Sequence, residues 1–152
     1  MPEPSHHVYL GLDFGLRRVG VATGQTQSSS ATALCTLTYG GNLNQLWPQL
    51  TPLVNEWQPD AFVLGLPYNM DDRPHEFSPQ VKAFGQKLHQ RYHKPIHYMD
   101  ERLSSIEAEQ ILQESGKKLK RGSPAYKEAI DRIAAKLILE SWLWQQQQTD
   151  SS

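Results

Sequence analysis

The stretch that decides the fold runs Val8-Tyr9-Leu10-Gly11-Leu12-Asp13-Phe14-Gly15-Leu16-Arg17-Arg18-Val19-Gly20-Val21-Ala22-Thr23-Gly24. Residues 8–14 read as a strand that ends at the turn-prone Gly15. Residues 18–24 alternate with a period of two and lie close enough to be its hairpin partner. Asp13 closes the apolar strand. A carboxylate there either meets solvent as an ordinary strand-end residue or meets a cation, because burying it alone is prohibitive.

Working outward, a Ser/Thr-rich loop over 26–32, expected to be mobile, leads to a third short strand over Ala33–Thr38. Leu43, Leu46, Leu50, Leu53, Val54 and Trp57 then recur at helical spacing. Pro48 and Pro52 fall inside that stretch, which predicts a kink or a late start, and Pro59 closes it. Residues 61–66 form a continuous apolar run, as expected of a strand buried on both faces. Ser78-Pro79 predicts an N-cap followed by the first helical residue, with Phe77, Val81, Phe84, Leu88 and Tyr92 on or just before one face. Residues 96–99 form a last strand leading into Asp100-Glu101-Arg102. Ser104 with Glu107 makes a capping box, and Gly116 stops that helix. Ser123-Pro124 repeats the cap-then-proline signal for a long helix to about residue 144, with Ile130, Ile133, Ala134, Leu137 and Ile138 inward. A polar, frayed tail is expected from Gln145, and residues 1–6 are expected to be flexible. The order, three strands, helix, strand, helix, strand, helix, helix, implies an α/β fold with a mixed sheet and helices on its faces. No repeat or domain boundary interrupts it, so residues 1–152 read as a single domain.

Composition narrows the function. The chain has 152 residues, 38% of them hydrophobic, enough for a core without staples. Its apolar runs are too short to span a bilayer, and its first residues lack the pattern of a signal peptide. The lone Cys35 has no disulfide partner and no companion for a cysteine metal site, so a cytoplasmic location is expected. Zinc is not expected from the six scattered histidines. The net charge of −1 gives no global pull on a polyanion, so a nucleic-acid ligand needs a local patch. Lys117, Lys118, Lys120, Arg121 and Lys127 supply one, although the same cluster also reads as a solvated helix end and loop.

Acids stand at three places that packing alone does not explain. Asp13 is the first. Asp100 and Glu101 end the last strand, where open α/β sheets usually bind ligands; an ion pair at a helix start is the plainer reading. Asp131 shares a helical stripe with Ala134, Ala135 and Ile138, too deep for the helix dipole to account for it, and Ala134 and Ala135 allow close approach to a sheet. Its plainer reading is a pair with Arg132 or Lys127. Three converging carboxylates would hold Mg²⁺, with Mn²⁺ as an alternative, and two such ions about 4 Å apart suit in-line phosphodiester hydrolysis.

Residues 12–22 resemble the opening block of the YqgF/RuvX family, and Gly65-Leu66-Pro67-Tyr68-Asn69-Met70-Asp71 resembles its second. Asp100-Glu101-Arg102-Leu103-Ser104-Ser105-Ile106-Glu107-Ala108 and Asp131-Arg132-Ile133-Ala134-Ala135 are similar to its third and fourth. The resemblance implies an RNase H-like fold: a five-stranded mixed sheet, strands 1–3 antiparallel and 4 and 5 parallel, with strand one between strands two and four. It implies Asp13, Glu101 and Asp131 as catalytic metal ligands, with Asp100 as a substitute for Glu101. The implied function is metal-dependent nuclease activity in maturation of the 5′ end of 16S ribosomal RNA. Structured RNA or ribosomal particles would be the partners, and the chain would be a monomer or weak homodimer. A dimeric DNA-junction resolvase and a non-catalytic RNA- or ribosome-binding module are the alternatives. An actin-like ATPase is set aside because the chain is too short for two lobes. Gly15, Arg17, Asn69, Arg102, Lys118, Lys120 and Arg121 are the candidate substrate-binding residues. Gly20 suits a tight turn or close backbone approach to phosphate.

Overall fold

The computed structural model describes residues 7–26, 30–67, 77–101, 104–116 and 118–150, the side chains of 101, 104, 105, 149 and 150 excepted. The elements are β1 (Val8–Phe14), β2 (Arg18–Gln25), β3 (Ala31–Thr38), α1 (Leu43–Trp57), β4 (Ala61–Pro67), α2 (Ser78–Tyr92), β5 (Ile96–Glu101), α3 (Ser104–Glu114) and α4 (Pro124–Asp150). They build one mixed sheet in the order β3-β2-β1-β4-β5. β1 pairs antiparallel with β2 and parallel with β4, and β4 pairs parallel with β5. The expected sheet is therefore the observed one, with β1 at its centre.

Alternation along β1 sorts its side chains into two layers. Leu10, Leu12 and Phe14 enter a core with α1 and α2, where Phe62, Leu64, Val81, Phe84 and Leu88 are fully buried. Each such aliphatic or aromatic side chain contributes roughly 1.5–3 kcal/mol by leaving water. Tyr9 goes to the opposite layer with Ala61, Val63, Ile138, Leu139, Trp142 and Leu143. Tyr9 meets the edge of Trp142 at 4.7 Å, and His97 stacks on the same indole at 4.8 Å.

Small residues let α4 lie against this second face. A Cβ added at Gly11 would come within 2.8 Å of Leu139 Cβ and 3.1 Å of the Ala135 carbonyl. One added at Gly20 would overlap the Asp131 carbonyl. Gly20 thus serves close approach of helix backbone to strand rather than a turn or a phosphate contact. Thr36 strengthens the seam by donating its hydroxyl to the Glu128 carbonyl at 2.5 Å.

Several local expectations need correcting. α1 spans Leu43–Trp57 with both Pro48 and Pro52 inside it, and Asn42 caps it by accepting from the Asn44 N–H at 3.0 Å. The start is not delayed, because both prolines lie on the exposed side while Leu46, Trp47, Leu50 and Val54 anchor the other. Ser78 is the first residue of α2 rather than its cap, and its hydroxyl donates to the Pro67 carbonyl at 2.9 Å, tying α2 to the end of β4. α4 continues to Asp150, since Trp142 and Leu143 are buried and the glutamines beyond them are good helix formers. β3 starts two residues earlier than expected, at Ala31. By contrast, Ser123 does cap α4, accepting from the Tyr126 N–H at 3.2 Å, and Gly116 follows α3 with φ +77°. The Ser104 capping box lies outside the described side chains, as do residues 1–6 and 27–29 of the segments expected to be flexible. No helix among the described residues is long and apolar enough to cross a membrane.

Candidate functional site

Asp13 is positioned by the residues that follow it in the chain. Phe14 stacks on Phe84 at 4.1 Å and on Phe77 at 5.8 Å in the first core. Strand alternation then assigns Asp13 to the α4 face. The turn that follows is fixed by backbone bonds: the Gly15 N–H donates to the Arg18 carbonyl at 2.9 Å, and Tyr39 donates its hydroxyl to the Gly15 carbonyl at 2.6 Å.

Across the hairpin, Asp13 pairs with Gly20. Directly opposed positions of an antiparallel pair stand about 5.5 Å apart. The Asp131 main chain presses onto Gly20, so the helix backbone at Asp131 lies within roughly 7 Å of Asp13 Cβ. Residues from opposite ends of the chain thus meet at one face of the sheet.

Asp131 is largely buried, its side chain 18% exposed, and it is paired. Arg18 Nε donates to its Oδ2 at 2.6 Å. Burial pushes the Asp131 carboxyl above the usual aspartate range, and the Arg18 hydrogen bond and charge pull it back only in part. Glu128 adds to the upward push, and Arg132 opposes it. The partner is therefore Arg18, not Arg132 or Lys127. Neighbours within one helix can be enumerated from sequence; a partner on β2 cannot.

Glu101 ends β5 opposite Pro67, two positions after Met99 and four after His97, both on the α4 layer. Asp100 is exposed and out of step with that row, paired instead with Leu66, whose side chain enters the first core. No group of three or more His, Cys, Asp or Glu able to hold a metal occurs among the described residues. Of the three expected ligands, Asp13 and Asp131 have described side chains, and carboxylate oxygens are the donors a hard divalent cation takes. A cation between them would also compensate the buried charge of Asp131.

The remaining candidates spread out. Arg17 is exposed in the hairpin turn, its carbonyl accepting from the N–H groups of Tyr39 and Gly40. Lys118, Lys120 and Arg121 are exposed before α4, and Arg121 stands 4.0 Å from Glu109. The start of α4 lies about 10 Å along the helix axis from Asp131, so these cations flank the acids without joining them. Asn69 and Arg102 lie outside the described residues. His89 and His93, four apart at the end of α2, form no site: His93 has left the helix at φ 56°, and His89 Nδ1 is 3.0 Å from the Lys94 carbonyl.

The family profile RuvX, described as a Holliday junction resolvase, matches residues 7–145. A protein of Nitrosococcus oceani named "Putative pre-16S rRNA nuclease" is 40% identical over 148 residues, covering 96% of this chain and 93% of its own. A protein of the same name from Chromohalobacter salexigens is 42% identical over 143 residues, covering 93% of each chain. Among solved structures, RuvC of Thermus thermophilus in complex with a Holliday junction substrate aligns with a TM-score of 0.54 at 14% identity, over 93% of this chain and 96% of that one. The yeast mitochondrial Holliday junction resolvase Ydc2 aligns with a TM-score of 0.52 at 12% identity, over 91% and 79%. At such identities the structural likeness establishes the shared RNase H-like fold.

Proposed function

The chain belongs to the RuvX family, and from that premise we propose that it is a divalent-cation-dependent nuclease acting in the cytoplasm on structured RNA, in maturation of the 5′ end of pre-16S ribosomal RNA. What supports this reading is that Asp13 pairs with Gly20 in the sheet while the Asp131 main chain lies on that same glycine. Arg18 neutralises one of the two acids, and phosphodiester hydrolysis by a bound cation gives both of them a use.

Asp13, Asp131 and Glu101 would hold Mg²⁺ or Mn²⁺. A hard cation held by those acids supplies Lewis-acid activation of the phosphodiester and of the attacking water. The chain's own residues supply rigidity and charge. The Phe14 stack and the Tyr39–Gly15 bond fix the backbone just after Asp13. Arg18 orients Asp131 and favours its ionised form against burial. Lys118, Lys120 and Arg121 give the RNA backbone a local positive flank that the net charge of −1 lacks.

The test is cleavage of a labelled RNA spanning the 5′ end of pre-16S RNA, with and without EDTA, by wild type and by Asp13→Asn. The reading expects Mg²⁺- or Mn²⁺-dependent cleavage by the wild type and its loss in a folded variant; cleavage retained by rigorously purified Asp13→Asn removes the catalytic assignment.

A second reading, resolution of four-way DNA junctions, is favoured by the description of the family profile and by the likeness to RuvC. It needs two active sites and hence a dimer. Symmetric nicking of a synthetic junction by a dimeric species would select it, and a monomer by light scattering would exclude it. Binding to RNA without cleavage of either substrate would leave the non-catalytic module.

A further inference from the structure

Arg18 opens β2 at the same end of the sheet as Asp13, with 31% of its side chain exposed. A guanidinium carries five N–H donors in one rigid plane. Here only Nε is engaged, donating to Asp131 Oδ2 at 2.6 Å, and among the described residues no group takes a hydrogen bond from the two terminal amino groups. An arginine serving only as counterion gains most by presenting its fork to the carboxylate, two bonds to two oxygens. Arg18 instead meets Asp131 through Nε, so four of its donors make no hydrogen bond among the described residues. The backbone keeps it there: its carbonyl accepts from the Gly15 N–H, and it pairs with Thr38 in the sheet.

We infer that Arg18 is a phosphate-binding residue, held through Nε by Asp131 while its terminal amino groups receive two non-bridging oxygens of a substrate phosphodiester at the Asp13 face. The inference rests on the nuclease reading and adds to it the group that grips the backbone next to the acids. Arg17 lies beside it in the exposed turn. The planar fork matches phosphate geometry in a way a lysine ammonium does not. Arg132 and Glu128 are the other charged groups acting on Asp131, and Asp13 stands at the same end of the sheet, so the described charges near Arg18 are Asp13, Asp131, Glu128 and Arg132.

The test is the salt dependence of binding, read by fluorescence anisotropy with a labelled RNA hairpin in EDTA, so that no turnover intervenes. Variants are compared in an Asp131→Asn background, where the amide oxygen still accepts from Nε and no buried charge is left unpaired. Adding Arg18→Gln is expected to lower the slope of log K against log salt by about 0.7–0.9, the loss of one phosphate contact. Adding Arg18→Lys, which keeps the charge, is expected to hold the slope while weakening affinity. A slope unaltered by Arg18→Gln, or lost equally with lysine present, overturns the inference alone. Absence of any salt-dependent binding by the wild type removes the proposed function, and this inference with it.

Discussion

Replacing Gly20 by alanine probes the seam on which the whole site depends. The added Cβ falls inside the Asp131 carbonyl group and 3.0 Å from the Arg132 nitrogen, where 3.0 Å is already the limit for real Cβ atoms. The obstacle is helix backbone, so no rotamer change relieves it, and α4 must lift by about 1 Å at that turn. A gap of that size forfeits a quarter to a half of the dispersion energy of each contact across it. Overpacking of this kind costs about 1–3 kcal/mol, and an unyielding backbone puts Gly20→Ala at the upper end, about 3 kcal/mol. For a chain of this length each kcal/mol lowers Tm by roughly 2–4 °C, hence about 6–12 °C in all. Gly85→Ala is the matched control: its Cβ would also overlap a neighbour, but that neighbour is the Tyr98 hydroxyl, the tip of an exposed side chain that can swing away. Urea unfolding of both variants makes the comparison. A Gly20→Ala stability within about 0.5 kcal/mol of wild type, or a Gly85→Ala loss as large as that of Gly20→Ala, refutes the reasoning that α4 rests on β2 at Asp131.

Other consequences concern the acids and their supports. Because burial raises the Asp131 carboxyl above its unfolded value, its protonated form favours folding, and that contribution is fully present below the ordinary aspartate range and is lost as pH rises through the folded pKa. Asp131→Asn is therefore expected to be no less stable than wild type at pH 7–8, with any advantage shrinking on acidification; a stability difference that grows in its favour as pH falls contradicts the sign. Tyr39→Phe removes the 2.6 Å bond to the Gly15 carbonyl and should cost about 0.5–1.5 kcal/mol in thermal unfolding. Asp13→Asn should lower kcat by at least about 100-fold while near-ultraviolet circular dichroism stays that of wild type, and EDTA should abolish wild-type cleavage with recovery on added Mn²⁺.

The sheet was legible in the sequence because each of its strands carries its own local mark: alternation in residues 18–24, a doubly buried run in 61–66, and a turn at Gly15. Local signals failed where a distant partner decides. Pro48 and Pro52 left a late start open locally, yet α1 begins at Leu43, with four buried anchors on its other face. Ser78 has the chemistry of a cap, but the Pro67 carbonyl claims its hydroxyl. The glutamine tail carries no apolar stripe, so the length of α4 was hidden until Trp142 and Leu143 were seen packed on Tyr9 and Val63. At the site, Asp13 and Asp131 were visible as acids where packing gave no reason for them. Arg18 was not, since its partner lies at the far end of the chain and an arginine at the start of a strand is unremarkable by itself. Gly20 gave a true signal, close backbone approach, with the approaching partner misassigned.

The central claim is that one cation is shared by Asp13 and Asp131. Anomalous diffraction at the manganese edge from crystals soaked in Mn²⁺ tests it most directly. The account predicts a peak between these two carboxylates, with Glu101 as a further ligand. A fully soaked crystal whose manganese binds elsewhere, with no peak between Asp13 and Asp131, would contradict it.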